Sequence, residues 1–320
     1  MARIEAICVS RKKGEKKSPV PSARLMTDHG IEHDAHAGSW HRQLSLLAVE
    51  DVDSFRREKR LELQPGDFAE NVVLSGLDLS RLGLGSRLRL GTGAVVSVTQ
   101  IGKACHSPCV ISRQTGDCLM PRAGLFARVD KGGPIAVGDP AELLVAVERS
   151  RYQVVVLTIS DRCSKGEAPD TAGPSVARLL AERLPSHLYK TEVIPDEQEL
   201  IAARFKHYSD GHSIDLIVAV GGTGFSPRDV TPEAVAQVVH RLAPGLGEAM
   251  RAESLKKTPR AMLSRALCGI RNSTLIVSLP GSERAAAENL DVILPALAHG
   301  LSKLRGDPSD CGRPSPEGDR

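Results

Sequence analysis

The segment Asp215-Leu-Ile-Val-Ala-Val-Gly-Gly-Thr-Gly-Phe-Ser-Pro-Arg-Asp-Val-Thr-Pro-Glu233 decides the fold of the second half of the chain. Its apolar run from Leu216 to Val220 is long enough for a strand that is buried on both faces of a sheet. Thr231 followed by Pro232 and Glu233 is typical of a helix start, with Thr231 as the N-cap residue. The segment therefore predicts a strand, a short loop and the N-terminal end of a helix.

The loop of this segment has the composition of a phosphate site. Glycine at positions 221, 222 and 224 removes side chains where the backbone must turn and a ligand must approach. Unpaired N–H groups at the start of a helix point toward an anion. Arg228 supplies a cation for phosphate oxygens, and Asp229 supplies a carboxylate for Mg²⁺. The alternative is an ordinary turn between a strand and a helix.

The whole pattern Gly-Gly-Thr-Gly-x-x-x-Arg-Asp-x-Thr-Pro-Glu, residues 221–233, resembles the molybdopterin adenylyltransferase family of molybdenum cofactor biosynthesis. The related G domains and MoaB-like domains belong to the same family. The resemblance implies a nucleotidyltransferase that joins AMP from ATP to the phosphate of molybdopterin and releases pyrophosphate. It also implies Mg²⁺ as the metal ion of the reaction.

The composition of the chain limits the classes of protein to which it can belong. Its 320 residues favour two domains, and a hydrophobic fraction of 41% is sufficient for real cores. A formal net charge of +3 is too small to indicate a nucleic-acid partner. No apolar run reaches the length of a membrane span, and the first residues lack the layout of a signal peptide. Seven cysteines in such a chain are expected to be reduced thiols in the cytoplasm.

A histidine-rich segment, Thr27 to His41, lies in the first half. It holds histidines at positions 29, 33, 36 and 41, with aspartates close by. A metal site is one interpretation of this composition. The spacing matches no common zinc pattern, so we favour a polar loop whose histidines form hydrogen bonds or bind an anion.

Short β-like runs separated by turn residues fill the first half. A strand is predicted from Arg3 to Ser10, a basic loop from Arg11 to Ser18, and a strand leading into a helix from Leu44 to Glu58. Further strands are predicted from Val95 to Gln100 and within Ile135 to Glu148. Many short strands with few helices favour a closed or nearly closed β-barrel.

Cysteine chemistry is predicted in the segment from Ile101 to Cys118. Its three cysteines stand beside cationic and imidazole side chains: Cys105, Cys109 and Cys118, with Lys103, His106 and Arg113. A neighbouring cation or imidazole lowers the pKa of a thiol and favours the thiolate, which attacks sulfur and binds metals. Two alternatives are small buried cysteines and a zinc site that includes His106.

Several motifs of the first half together resemble a MOSC domain. They are Gly30-Ile-Glu-x-Asp34, His41-Arg-Gln, Gly66-Asp-Phe-Ala-Glu-Asn71, Gly85/Arg89/Gly91, the Cys105 region and Gly124-Leu-Phe-Ala-Arg-Val129. The resemblance implies a mostly-β barrel over residues 1–148 that binds the pterin cofactor or carries sulfur through one reactive cysteine. By its position after a strand, Cys105 matches that cysteine, with Cys109 and Cys118 as alternatives. The MOSC family is also associated with pyridoxal phosphate.

The second half alternates strands with helices. The polar run Glu148 to Arg151 predicts a linker, and residues 152–305 a second domain. The predicted elements, besides the central strand, are strands at 152–159, 190–194 and 274–279 and helices at 175–184, 199–208, 234–242, 245–252, 259–267 and 285–304. This order predicts a three-layer α/β domain with a mostly parallel sheet. The tail, residues 306–320, is rich in Pro, Gly, Ser and Asp and is predicted to be disordered.

Polar or glycine motifs follow four strands of the predicted sheet. They are Ser160-Asp161, Asp196, Gly221 to Asp229, and Gly281-Ser282. Because the carboxyl ends of parallel strands meet at one edge of a sheet, these motifs are expected to form one site. Ser160-Asp-Arg162, Asp170-x-x-Gly-Pro174, Ile194-Pro-Asp-Glu197 and Leu279-Pro-Gly-Ser282 also match the adenylyltransferase family.

The resemblance assigns roles to the residues of this edge. Asp229 and Asp196 are expected to be catalytic and to position Mg²⁺ and the reacting phosphate. Ser160 and Asp161 are expected to contact the pterin or its phosphate. The residues expected to bind nucleotide or phosphate are Gly221, Gly222, Thr223, Gly224, Arg228, Thr231, Gly281 and Ser282.

The sequence thus predicts a fusion of a MOSC-like barrel with a nucleotidyltransferase domain that uses ATP, Mg²⁺ and molybdopterin. One alternative is a protein that binds or carries molybdopterin without catalysis. Another is a MOSC sulfur-transfer protein with an accessory second domain. The resemblance further implies a homotrimer formed through the second domain and a molybdenum-insertion enzyme as partner.

Overall fold

The structure is a computed structural model that describes residues 1–13, 15–102 and 116–308 of the chain. The chain divides into two compact units, Met1–Arg151 and Tyr152–Arg320. The predicted reactive residues Cys105 and Cys109 lie outside the described residues, as does the greater part of the predicted disordered tail, residues 309–320.

Short strands make up most of the first unit. They are β1 (Arg3–Val9), β2 (Ser18–Val20), β3 (Ser22–Met26), β4 (Gly30–Ile31), β5 (Leu44–Ala48), β6 (Val72–Ser75), β7 (Arg87–Leu90), β8 (Ala94–Ile101), β9 (Leu125–Lys131), β10 (Gly133–Ala136) and β11 (Ala141–Val145). An eight-stranded sheet has the order β11-β7-β8-β9-β5-β6-β1-β2, and a three-stranded sheet has the order β10-β3-β4. Helix α1, Val49–Lys59, and a 3₁₀ helix, Leu79–Arg81, join these strands.

One hydrophobic cluster of the first unit lies between strand β5 and helix α1. Every residue of β5 is buried, including Ser45, whose hydroxyl donates to Oδ1 of Asn71 at 2.9 Å. Helix α1 directs Phe55 inward, where the ring packs edge-on against Phe68 at a centroid distance of 5.4 Å. Acidic residues in its first turn and basic residues in its last turn suit the helix dipole. The predicted strand-to-helix segment from Leu44 to Glu58 is therefore confirmed.

The first unit is rich in β-sheet, as predicted, but the predicted barrel is not confirmed. Among the described residues, β11 and β2 stand at the two ends of the strand order, and no closed sheet is found there. An isolated antiparallel bridge joins Arg3 of β1 to Pro140, and the Ile4 N–H donates a 2.9 Å hydrogen bond to the carbonyl of Asp139. The closed or nearly closed barrel therefore stays a prediction.

The second unit alternates strands and helices in chain order. Its strands are β12 (Tyr152–Ile159), β13 (Ser186–Ile194), β14 (Leu216–Val220), β15 (Arg241–Leu242), β16 (Cys268–Arg271) and β17 (Thr274–Leu279). Its helices are α2 (Asp161–Ser164), α3 (Ala172–Arg183), α4 (Gln198–Gly211), α5 (Thr231–Val238), α6 (Pro244–Leu255) and α7 (Glu283–Leu304), with a 3₁₀ helix at Pro259–Leu263. One six-stranded sheet has the order β13-β12-β14-β17-β16-β15.

The central strands of this sheet are buried on both faces. Alternate residues of β12, β14 and β17, such as Val156, Val218 and Val277, form one hydrophobic core with α3, α6 and α7. The intervening residues, such as Val155 and Ile217, are buried as well. Helices α4 and α5, which pack against each other, bring further buried side chains. The continuous apolar runs of the sequence follow from this double burial.

Two sequence predictions for the second unit are wrong in detail. The helix predicted over 234–242 ends at Val238, because Arg241 and Leu242 pair as a short strand with β16. The helix predicted over 259–267 is a 3₁₀ turn that ends at Leu263. Strand β16 was not predicted, and it makes the sheet mixed because it pairs antiparallel with β17. No helix within the described part of the chain is long and apolar enough to cross a membrane.

Candidate active site

The carboxyl ends of the parallel strands of the second unit lie level with one another. Ile159 at the end of β12 pairs with Ile194 of β13, and Val220 of β14 pairs with Leu279 of β17. Each strand is followed at once by one of the predicted motifs. The structure therefore brings the four motifs to one edge of the sheet, as the parallel topology predicts.

Asp161 and Asp196 hold two neighbouring strand ends together. The Asp161 N–H donates to Oδ2 of Asp196 at 2.8 Å, and the Asp196 N–H donates to Oδ1 of Asp161 at 3.2 Å. The guanidinium of Arg228, from the glycine loop, grips Asp161 with two hydrogen bonds of 2.9 and 2.8 Å. Such a bidentate pair fixes geometry as well as charge. Arg228, predicted as a cation for phosphate, is thus anchored by a carboxylate of the same site.

The two carboxyl groups have opposite pKa shifts. Hydrogen bonding from the Arg228 guanidinium lowers the pKa of Asp161. Burial raises the pKa of Asp196, and the nearby charges of Asp161 and Asp229 raise it further. Asp196 therefore stands in a field that favours neutralisation of its charge by a proton or a metal ion.

The glycine loop turns back over the strand end, and this turn requires glycine. Gly222 has φ +61°, and a Cβ atom there would lie 2.5 Å from Oγ1 of Thr231 and 2.9 Å from Oδ1 of Asp196. Thr231 was predicted as the N-cap residue, but α5 begins at Thr231 itself, with Val230 as its N-cap. The fully buried Thr231 hydroxyl instead donates to the carbonyl of Gly221 at 2.9 Å, so it fixes the loop.

The predicted serines lie at helix starts of the same edge. Oγ of Ser160 accepts from the Cys163 N–H at 3.3 Å and caps α2, and Oγ of Ser282 accepts from Ala285 and caps α7. Gly281 lies against the glycine loop, since a Cβ atom there would be 3.3 Å from the Cα of Gly221. The structure thus places both serines at helix N-termini of the same sheet edge.

Arg265 holds the glycine loop, residues 221–229, in place through several hydrogen bonds. The sequence did not predict these contacts. Its backbone N–H donates to the carbonyl of Thr223 at 2.9 Å, and its Nε donates to the carbonyl of Gly224 at 2.7 Å. Its two terminal nitrogens donate to the Asp229 carbonyl and to the Glu233 carboxylate. One side chain therefore ties both ends of the loop to the start of α5.

A cavity of about 450 Å³ opens beside the loop. Residues 222–224 and Asp229 line it. Cationic side chains from the segment after β15 also line it: Arg251, Lys257 and Arg260. Lys257 pairs with Glu288 at 3.2 Å, whereas no ion pair of Arg260 is found among the described residues. A cavity lined by the glycine loop and by three cationic residues suits a phosphate-bearing ligand.

The cations of this cavity were missed because the sequence gives no local signal for them. Arg251 lies within α6, and Lys257 and Arg260 lie beyond its C-terminal end, so all three are distant in sequence from the glycine loop. Arg265, which holds that loop, contacts Gly224 across 41 residues. Periodicity reports which face of an element is buried, but not which distant loop it meets.

The carboxylates of the edge fit Mg²⁺. Oδ2 of Asp229 accepts from the Ser226 N–H at 2.9 Å, and Oδ2 of Asp196 accepts from Asp161. Their Oδ1 atoms make no hydrogen bond with the described residues. Mg²⁺ is usually held by one or two carboxylates together with substrate phosphates and water. Within the described ranges no group of three or more His, Cys, Asp or Glu could hold a metal ion.

The histidine-rich segment of the first unit does not form a metal cluster among its described residues. His36 contacts the ammonium of Lys17 through Nδ1 at 3.2 Å, and Nε2 of His41 lies 3.0 Å from Oε1 of Gln100. His29 and His33 are exposed. Histidines in hydrogen bonds agree with the polar loop that we favoured from the sequence.

Cys118 lies in an apolar environment. It packs against a hydrophobic cluster that includes Leu119 and Met120, and its N–H donates to Oδ1 of Asp117 at 2.7 Å. This position agrees with the alternative of a small, partly buried cysteine. The structure does not describe Cys105 and Cys109, so the reactive cysteine is not located.

Comparison with known proteins identifies both units. A family model described as a probable molybdopterin binding domain matches residues 155–299, and a MOSC domain model matches residues 33–142. Molybdopterin adenylyltransferase of Helicobacter pylori strain J99 is 40% identical over 153 residues, which cover 48% of this chain and 87% of that protein. The chain belongs to the molybdopterin adenylyltransferase family. Both resemblances drawn from the sequence motifs are confirmed.

Members of this family also occur within longer proteins. Gephyrin of Dictyostelium discoideum is 42% identical over 170 residues, which cover 50% of this chain and 24% of gephyrin. This chain therefore spans about a quarter of the length of gephyrin. A solved structure of the molybdopterin biosynthesis enzyme MoaB from Thermus thermophilus is 42% identical, with 50% of this chain and 99% of that chain covered and a TM-score of 0.47.

Proposed function

We propose that the second unit transfers AMP from ATP to the phosphate of molybdopterin. A phosphate oxygen of molybdopterin attacks the α-phosphorus of ATP, the new P–O bond forms, and the bond from the α-phosphorus to the bridging oxygen breaks to release pyrophosphate. The observation that carries the proposal is the convergence of Asp161, Asp196 and the glycine loop at one sheet edge, beside a cavity lined by cations. Full-length relatives named molybdopterin adenylyltransferase support it.

Phosphoryl and nucleotidyl transfer depend mainly on alignment and on charge stabilisation. The N–H groups of Gly222, Thr223 and Gly224 supply fixed donors for phosphate oxygens. Asp196 and Asp229 are the residues that would hold Mg²⁺, which supplies charge neutralisation for the phosphates when bound.

Other residues of the edge hold the two substrates in line. Ser282, at the start of α7, offers helix N–H groups to a phosphate. Ser160 and Asp161 lie at the start of α2, where Asp161 accepts hydrogen bonds from the guanidinium of Arg228 in the glycine loop. Both residues are assigned to the pterin or its phosphate. Gly221, Thr231 and Gly281 shape the loop so that these donors stay in place. The donors therefore do not need to reorganise during the reaction.

The first unit is proposed to bind the pterin cofactor or to carry sulfur. Its match to a MOSC domain supports this role, and the bridge between Arg3 and Pro140 supports a nearly closed barrel. Cys105 is the proposed reactive residue. A homotrimer through the second unit, a molybdenum-insertion enzyme as partner and a cytoplasmic location are further parts of the proposal.

The test is an assay of the full chain with ATP labelled at the α-phosphate, molybdopterin and Mg²⁺. We expect labelled adenylylated molybdopterin and pyrophosphate in equal amounts. Binding of molybdopterin without either product would favour the carrier alternative instead. A persulfide on the first unit, with no AMP transfer by the second, would favour the sulfur-transfer alternative.

A further inference from the structure

The second unit contains a further cavity of about 450 Å³ that the proposed transfer reaction does not use. Residues of strands β15, β16 and β17 and of helices α6 and α7 line it. Leu275, at the start of β17, is one of them, whereas the candidate active site follows the other end of that strand at Leu279. The two cavities share no lining residue in the described part of the chain. This cavity is therefore separate from the glycine loop.

Apolar side chains form much of the lining of this cavity. Leu275 and Leu297 are buried there. Leu246, Ile270 and Leu304 are only half-buried, although they pack against the hydrophobic core of the unit. Their exposed apolar surface remains in contact with water, and a ligand with an apolar body would cover it favourably.

Gly300 keeps one wall of the cavity open. It lies within α7, where glycine is destabilising relative to alanine. A Cβ atom at Gly300 would meet no atom within 4 Å outside the backbone of its own helix. Packing among the described residues therefore does not require glycine at this position, and a larger side chain would enter open space at the cavity.

The charged residues of the lining are cationic. Arg241 is exposed, and no ion pair of its guanidinium is found among the described residues. Nζ of Lys303 donates to the carbonyl of Asp307 at 3.3 Å, which is an uncharged acceptor. No acidic residue within the described ranges lines this cavity. The charge of its rim is therefore complementary to an anion.

The start of α6 adds to this positive charge. Its N-cap residue, Ala243, and Leu246 of its first turn both line the cavity, and no side chain caps the helix. The N–H groups of Gly245 and Leu246 find no backbone acceptor in the part of the chain that the structure describes. The positive end of the helix dipole therefore lies on the same side as the two cations and favours the same ligand charge.

We propose that this cavity binds a small alkyl carboxylate. The alkyl chain lies against Leu275 and Leu297, and the carboxylate lies between Arg241 and Lys303. A guanidinium and a carboxylate match as two planar forks, and the apolar lining selects against an anion that has no apolar body. The inference does not rest on the adenylyl transfer proposed for the same unit, because the two cavities are separate.

The test is titration calorimetry of the full chain with octanoate, 1-octanol and acetate at constant pH and ionic strength. Octanol keeps the apolar body and lacks the charge, whereas acetate keeps the charge and lacks the body. We expect saturable binding of octanoate, at least ~10-fold tighter than that of octanol, and no binding of acetate. Absence of saturable octanoate binding, or equally tight binding of octanol, would overturn the proposal.

Two variants place the octanoate in this cavity. Arg241→Gln removes an exposed charge and is expected to weaken binding about threefold, whereas Arg178→Gln, on the exposed face of α3, should leave it unchanged. Gly300→Leu fills part of the cavity and is expected to weaken binding at least ~10-fold, with an equal or higher Tm because leucine favours a helix. The matched control is His299→Leu, since His299 is exposed on α7 and does not line the cavity.

Equal octanoate affinity in Arg241→Gln, Gly300→Leu and the parent chain would place the ligand elsewhere and overturn the proposal. Size-exclusion chromatography of the same variants tests a different occupant, a second copy of the chain. Dissociation of an oligomer by Gly300→Leu, together with no octanoate binding by the parent chain, would assign the cavity to an interface between copies and would also overturn it.

Discussion

The Nε atom of Arg265 donates a 2.7 Å hydrogen bond to the carbonyl oxygen of Gly224, although 41 residues separate them in the chain. With its contacts to the carbonyls of Thr223 and Asp229, this bond fixes the loop that presents the phosphate donors. Arg265 does not reach the substrate through these contacts, so it acts as a positioning residue.

We expect Arg265→Lys to lower adenylyl transfer on the order of 10²-fold, because lysine lacks the fork that holds three acceptors at once and a small displacement of the loop misaligns the phosphates. The loss should fall mainly on kcat. The matched control is Arg271→Lys, since Arg271 makes a similar fork with Asp210 and the Val238 carbonyl away from the glycine loop. Equal losses in both variants would mean that Arg265 contributes only to stability.

Asp229→Asn keeps the shape of the side chain and removes its charge. If Asp229 helps to place Mg²⁺, the rate of AMP transfer should fall at least ~10²-fold, as for the loss of a preorganised electrostatic group. Asp291→Asn, an exposed aspartate paired with Arg183, provides the control. Turnover near that of the parent chain, with Mg²⁺ as the only divalent ion, contradicts the assignment.

Substitution of Asp196 should lower the rate of AMP transfer without lowering the thermal stability of the protein. Burial and the charges of Asp161 and Asp229 raise its folded pKa above the unfolded value. Between the unfolded and the folded pKa of Asp196, the folded state therefore binds more protons than the unfolded state. The free energy of unfolding falls as pH rises through this range. At neutral pH the ionised Asp196 is destabilising, so Asp196→Asn should have an equal or higher Tm while transfer falls at least ~10²-fold. A clearly lower Tm at neutral pH would show that the carboxylate is stabilising.

The sequence predicted the parts of this site that lie next to a strand end. An apolar run such as Leu216–Val220 identifies a central strand, and the parallel order of strands then places Asp161, Asp196 and the glycine loop at one edge. Edge strands gave no such signal, because Arg241–Leu242 is too short and β16 carries Gly269 in the middle of its run. Pattern alone also could not show that Arg228 pairs with Asp161, a contact set by tertiary packing.

The second unit should fold and act without the first. The hydrophobic cluster that α3, α6 and α7 form with the sheet contains residues between Tyr152 and Leu304, and the chain divides at Arg151. Expression of residues 151–320 is expected to give a cooperative thermal transition and AMP transfer at a rate close to that of the full chain. If the fragment is inactive or insoluble while the full chain is active, the two units share a core or a site.

The reactivity of Cys105 tests the role of the first unit. Burial raises the pKa of Cys8 to about 12 and that of Cys268 to about 11, so both thiols should be slow toward iodoacetamide at neutral pH. Cys105 stands between Lys103 and His106 in the sequence, which predicts a stabilised thiolate and faster alkylation. Mass spectrometry of peptides after timed alkylation measures each rate.

Cys105→Ala should abolish persulfide or cofactor binding by the first unit and leave AMP transfer by the second unchanged. Cys109→Ala is the matched comparison and should have a smaller effect, since no cation adjoins it in the sequence. Joint protection of Cys105, Cys109 and Cys118, together with bound zinc by elemental analysis, would make this segment a structural metal site and exclude sulfur transfer. Fastest alkylation at Cys109 or Cys118 would keep sulfur transfer and move the reactive thiol to that residue.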